Sequence, residues 1–203
     1  MQTVNRLKSE RPRREYDFYE TPIELAKEAL RRFLLDENKH RLYDVLDPGA
    51  GRGVWGEAIL NIYHYPVNLD GIEIQDVSPS ESYDRWHHGD YLQDKWSNLT
   101  DDRLFDLVVG NPPYSLAEEF IRQSFYTLCE GGYCYFLLRL AFLESKKRHF
   151  GLFTDWQPKR VYVLSRRPSF FTTKSGRKTT DALSYAMFLW QKGWVGDTVL
   201  DWM

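Results

Sequence analysis

Apolar residues along the chain alternate between two spacings. Ile23, Ala26, Ala29, Leu30 and Phe33 recur at helical intervals. With Thr21 as N-cap and Pro22 at the first helical position, they predict an amphipathic helix reaching about Leu35. Short apolar runs at 42–46, 67–74, 105–109, 133–140, 160–165 and 182–190 predict strands, with a lesser one at 83–88. Helical patterns fill 55–62 and 116–128, and a polar helix is expected near 144–153. Residues 75–84 are too polar and too few for a full crossover helix, and Gly131-Gly132 predicts a break. Strand–helix alternation over this length implies a parallel sheet with helices on both faces. The loop between 165 and 182 has no room for a packed helix, so the last two strands should pair antiparallel. Residues 1–15 are basic, aperiodic and contain Pro12, which predicts a flexible arm ahead of a single domain spanning 16–203.

Composition removes several classes of function. No apolar run approaches the ~20 residues that cross a bilayer, and the opening residues lack the apolar centre of a signal peptide. Cys129 and Cys134 cannot build a disulfide framework, and no Cys/His set has zinc spacing, so neither metal nor membrane is expected. These features suggest a reducing, cytoplasmic setting. The net charge of −2 conceals a strong division: residues 1–14 carry +4, residues 15–138 carry −13, and residues 139–178 carry +9. A basic segment beside an acidic body fits a polyanionic partner held electrostatically. Within the segment, Lys146, Lys147, Arg148, Arg166, Arg167, Lys174, Arg177 and Lys178 are the candidate contacts. His87 and His88 read as surface residues, and the seven tryptophans as packing.

Two constellations carry chemistry. The first is Asp47-Pro48-Gly49-Ala50-Gly51-Arg52-Gly53, between a strand and a helix, followed by Glu73 at the end of the next strand. Glycines permit a tight turn and close approach of a ligand to the backbone, while an acid placed like Glu73 can accept both hydroxyls of a ribose. An acid at the head of the loop disfavours a pyrophosphate and suits a sulfonium with an amino-acid tail.

The second constellation is Asn111-Pro112-Pro113-Tyr114, placed directly after the strand at 105–109. An aromatic amine is a poor nucleophile because its lone pair is delocalised. The Asn111 side-chain oxygen and the Pro112 carbonyl offer two acceptors for its N–H bonds, which would turn the lone pair toward an incoming electrophile. Proline supplies no competing donor, and Tyr114 offers a face for stacking. Such catalysis consists mainly of positioning and electrostatic preorganisation.

These motifs resemble those of the class I S-adenosylmethionine-dependent amino-methyltransferases, in particular small adenine-N6 DNA methyltransferases of bacteria and phages with γ-type motif order. The resemblance implies S-adenosylmethionine as cofactor and assigns residues to it. The stretch 16–22, with Tyr19, Thr21 and Pro22, would close over the methionine part. Asp47, Gly49, Ala50 and Gly51 would form the cofactor loop, Glu73 and Ile74 the ribose site, and Asp90 with Tyr91 the adenine site. Asn111 to Tyr114 would be the catalytic motif, with Asn111 also touching the cofactor, and Phe170, in Pro168-Ser169-Phe170, would stack on the target base opposite Tyr114. The implied fold is Rossmann-like α/β, a seven-stranded sheet in the order 3-2-1-4-5-7-6 with the seventh strand antiparallel.

The resemblance points to adenine N6 in DNA as substrate, with adenine in RNA and a glutamine side-chain amide of a protein as alternatives. No separate target-recognition domain is expected, which would leave recognition to the basic segment 139–178, a dimer or a partner subunit.

Overall fold

In the computed structural model, residues 20–93, 103–172, 178–180 and 182–203 are described. The expected basic arm, Tyr19, Lys174 and Arg177 lie outside the described residues. The first helix, α1 (Ile23–Asp36), begins one residue later than Thr21 would set it, because Pro22 is the cap and its carbonyl accepts from the Leu25 and Ala26 amides. Strand β1 (Asp44–Pro48) leads through the glycine loop into α2 (Val54–Ile62), and β2 (Asn68–Glu73) and β3 (Arg85–His88) follow. Next come β4 (Phe105–Gly110), α3 (Ala117–Thr127) and the long β5 (Leu128–Arg139). The expected polar helix is two short ones, α4 (Lys146–His149) and α5 (Leu152–Asp155), parted at Gly151 where a Cβ would lie 2.9 Å from the Lys147 carbonyl. Strand β6 (Arg160–Val163), the two-residue strands β7 (Phe171–Thr172) and β8 (Lys178–Thr179), then β9 (Tyr185–Gln191) and β10 (Val199–Trp202) complete the chain.

The main sheet has eight strands in the order β10-β6-β9-β5-β4-β1-β2-β3. Every neighbouring pair is parallel except the two made by β9, which runs against both β5 and β6. The antiparallel hairpin is therefore present, and β7 with β8 forms a small ladder between its arms. The eighth strand, β10, is a correction to the expected seven. It is held from afar, by an Arg32–Asp201 ion pair and by hydrogen bonds that Met203 exchanges with Ser165 and Val163. A second correction concerns Gly131-Gly132. They do not break the chain but lie inside β5, where the register against β4 shifts between Phe105 and Leu107. A Cβ on Gly132 would lie 2.9 Å from the Phe105 carbonyl, so the irregularity depends on its absence.

Alternation along β5 divides the core. Tyr133, Tyr135 and Leu137 join Phe33 of α1 and Trp55 and Ile59 of α2 on one face. Cys134, Phe136 and Leu138 join Phe120 and Ile121 of α3 on the other. Both faces of β5 are thus buried, as expected for a strand inside a three-layer α/β domain. Phe136 is fully buried and pairs in register with Phe188 of β9. Phe136→Ala should lower the unfolding free energy by about 3–5 kcal/mol, measured by urea denaturation.

Candidate active site

Seven of the eight strands point the same way, so the loops after β1, β2, β3 and β4 meet along one end of the sheet, where ligands of open α/β folds bind. A cavity of about 420 Å³ lies there, within the usual range for a small-molecule site. Of the predicted cofactor residues, Thr21, Gly49, Ala50, Gly51, Glu73, Ile74, Asp90, Tyr91 and Asn111 all line it. Pro113 of the predicted catalytic motif lines it as well. Pro22 and Asp47 are not among the lining residues.

The wall is built by a few specific bonds. The Gly49 and Ala50 amides donate to the Ile72 carbonyl at 2.8 and 2.9 Å, tying the loop to the end of β2. Glu73 completes the tie: one carboxylate oxygen accepts from Gly51 and the other from Gln75, each at 2.7 Å. Two backbone donors account for the burial of Glu73, which is only 3% exposed. Gly53 enters α2 at φ +87°, in the left-handed region that favours glycine. Asp90 turns the chain after β3 by accepting from the Leu92 amide at 2.9 Å. Tyr91 packs against Phe120, with its hydroxyl within 3.2 Å of the Ser124 hydroxyl.

Asp47 lies behind the loop. One oxygen accepts from the Tyr83 hydroxyl at 2.5 Å; the other has no hydrogen-bond partner among the described residues. That second oxygen lies 2.9 Å from where a Cβ of Gly110 would stand, directly before Asn111. Burial, reinforced by the nearby charge of Glu73 and opposed by the Tyr83 hydrogen bond, pushes the Asp47 carboxyl up to about 7.

Sequence reasoning overlooked several residues here. Trp55, assigned to packing, lines the cavity, and its indole N–H has no partner among the described residues. Arg52 and Glu20 also line it and form a 4.0 Å ion pair. Tyr83 carried no signal beyond being aromatic within a polar stretch. Arg139, at the end of β5, places its guanidinium 4.8 Å from the Tyr114 ring centre. Its position at a strand's carboxyl end was the available clue.

The target-base stack is corrected in part. Phe170 is only 7% exposed and meets Tyr185 edge-on at 5.1 Å, and Tyr185 also meets Tyr114 at 5.7 Å. Tyr185 thus contacts both of the rings expected to stack on the target base. The basic segment is not one continuous face either. Arg148 sits over Phe142 and donates to the Phe142 carbonyl at 2.7 Å, so its guanidinium is tied to a local turn while keeping its charge. Lys159 and Arg160 pair with the buried Glu37. Lys147 reaches Glu118 at 3.8 Å, while Lys146, Arg166 and Arg167 are exposed. Arg166 and Arg167 follow the carboxyl end of β6, on the same rim as the cavity. Lys178 enters only through its place in β8.

No protein-family profile and no curated protein matches the sequence. Solved structures do match in shape. The methyltransferase subunit of a type I restriction-modification system from Streptococcus thermophilus superposes with TM-score 0.69 at 18% identity, over 90% of this chain and 47% of its own. A candidate RNA methyltransferase from Pyrococcus horikoshii gives 0.63 at 16% identity over 90% of both chains. A candidate class I S-adenosylmethionine-dependent methyltransferase from Listeria monocytogenes gives 0.63 at 14% identity, over 90% of this chain and 65% of its own. The fold is that of class I methyltransferases. The chain spans about half of the restriction-modification subunit and just under two thirds of the Listeria protein. Among the described residues no helix is long and apolar enough to cross a membrane, and no His/Cys/Asp/Glu group could hold a metal ion.

Asp47 gives a test that needs no ligand. Its folded-state value is raised, so its stabilising contribution is complete below the ordinary carboxylate range and is lost as pH rises through about 7. Asp47→Asn should thus gain stability relative to the parent between pH 5 and pH 8, by an amount on the order of a few kcal/mol. Urea denaturation at both pH values measures it.

Proposed function

We propose that the protein is an S-adenosylmethionine-dependent methyltransferase that modifies the N6 amino group of adenine in DNA. The observation that carries this reading is that Asn111 and Pro113 of the amine-activating motif line the same cavity as Glu73 and the glycine loop. An amine acceptor site and a ribose-binding carboxylate on one cavity fit a transfer between a nucleoside-bearing donor and an amine.

The residues present fit that donor. Gly49, Ala50 and Gly51 would pass along it, Glu73 would accept from its ribose, and Asp90 and Tyr91 would flank its adenine. Asp47, with one buried oxygen unpartnered among the described residues, would supply negative charge behind the glycine loop when ionised. When bound, S-adenosylmethionine supplies an electrophilic methyl group on a sulfonium. The chain's own part is positional. Asn111 and the Pro112 carbonyl hold the two N–H bonds of the target amine and direct its lone pair. Tyr114, backed by Arg139, offers the base a rigid face. A base taken from a duplex must be extruded, which costs a few kcal/mol recovered by stacking and phosphate contacts. Arg166 and Arg167 lie where such contacts would form.

RNA is the second reading, favoured by the Pyrococcus candidate RNA methyltransferase, which matches over 90% of both chains. The type I restriction-modification subunit instead favours DNA and target recognition by a partner subunit. Incubation with methyl-labelled cofactor and separate pools of duplex DNA, single-stranded DNA, RNA and protein decides among them. N6-methyladenine in DNA is the expected product. Label in RNA adenine selects the second reading, and label in glutamine removes both.

Asn111→Ala should abolish transfer while cofactor affinity stays within about tenfold, because its oxygen acts on the target amine. Near-parental turnover would remove that role. Neutralising Arg166 and Arg167 together should weaken nucleic-acid binding evenly across sequences. It should also reduce the slope of log affinity against log salt by about 2.

A further inference from the structure

Residues 75–84 replace the helix that usually joins two parallel strands, and Tyr83 fills the gap. Its ring occupies space that glycines on two separate elements leave open. A Cβ on Gly56 of α2 would lie 2.8 Å from the Tyr83 ring, and one on Gly71 of β2 would lie 3.1 Å from it. A Cβ on Gly53 would lie 2.2 Å from the Ser80 hydroxyl and 3.1 Å from Tyr83. Three glycines in this part of the chain therefore accommodate the 80–83 segment, and Gly53 does so in place of a ligand. At the end of this socket the Tyr83 hydroxyl accepts from the Gly56 amide at 3.1 Å and donates to Asp47 at 2.5 Å.

The hydroxyl stays a donor across the physiological range, since burial and the adjacent Asp47 push its ionisation well above the ordinary tyrosine value. The titratable groups facing Asp47 are Tyr83 from this segment and Glu73 from β2, while β4 presents Gly110. Glu73 already takes two backbone donors. Asp47 takes one side-chain donor and leaves its other oxygen empty. Between two buried carboxylates, only Asp47 lacks the bonds that would fix its charge, and Tyr83 supplies the single bond it has.

We propose that Tyr83 is a positioning residue: its hydrogen bond favours the ionised form of Asp47 behind the glycine loop, and that charge favours a cationic group in the cavity. The inference rests on the cofactor reading above. A cation in the cavity favours ionised Asp47, so by linkage affinity rises as pH passes upward through about 7. Loss of the Tyr83 donor makes ionisation harder, moves that rise to higher pH and weakens binding at neutral pH.

Calorimetry with three ligands on Tyr83→Phe and the parent protein tests this. S-adenosylmethionine carries a sulfonium, an ammonium and a carboxylate, S-adenosylhomocysteine an ammonium and a carboxylate, and 5′-methylthioadenosine none of these. The two ammonium-bearing ligands should bind Tyr83→Phe about tenfold more weakly at pH 7, with their pH profile moved upward. Methylthioadenosine should bind both proteins within about twofold of each other, without that pH dependence. Equal weakening of all three ligands would make Tyr83 merely structural and overturn the proposal, as would an unmoved pH profile. Failure of all three to bind the parent protein would overturn the cofactor reading itself. If Tyr83→Phe does not fold, the parent protein decides the matter in buffers of different ionisation enthalpy. Proton release on binding S-adenosylhomocysteine near neutral pH supports the proposal, and its absence overturns it.

Discussion

Two carboxyl groups, Asp47 and Glu73, stand at the ends of neighbouring strands with almost no exposure, and the site is organised around their burial. Each must be compensated or neutralised, because an isolated buried charge costs far more than a fold can spare. Glu73 is compensated by the Gly51 and Gln75 amides, and in accepting them it closes the glycine loop onto β2. Asp47 is compensated only by Tyr83, a side chain from a segment that has no regular structure of its own. One carboxylate therefore shapes the wall, while the other leaves an electrostatic demand beneath the floor.

Much of this was legible beforehand, because it is written in local pattern. Thr21-Pro22 marked the start of α1, glycines between apolar runs marked the loop, and Glu73 could be counted from the end of β2. The short connection after β6 implied the antiparallel hairpin because a helix needs residues it does not have. The conflict at Thr21 is instructive. Its hydroxyl could cap a helix or face a cavity, and the chain puts it in the cavity wall while Pro22 takes the cap.

What stayed illegible depends on partners far away in sequence. Tyr83 meets Asp47 across 36 positions, and β10 is secured by Arg32 across 169. Arg148 looked like a free charge until the Phe142 carbonyl and ring were seen beneath it. Gly131-Gly132 has the composition of a turn, yet the strand continues through it because Leu128 is already paired with Phe105. Charge counted along a segment likewise says nothing about which face each charge occupies. Lys159 and Arg160 were drawn to Glu37, leaving Arg166 and Arg167 on the rim.

The Tyr83 socket also bears on how this sequence is free to drift. Glycine at 56 is required while Tyr83 and Ser82 fill the space beside it and at 71 while Trp86 and Tyr83 do, whereas Gly53 is held both by Ser80 and by its left-handed backbone. Gly110 is required while Asp47 keeps its present rotamer. Of these positions, Gly56 is the one whose constraint comes from the 80–83 segment alone. A lineage that restored a crossover helix after β2 would release Tyr83 and with it Gly56, while Gly53 would stay bound by its backbone conformation and Gly71 by Trp86. A constraint on α2 is thus set by a stretch whose own composition resembles an unremarkable loop.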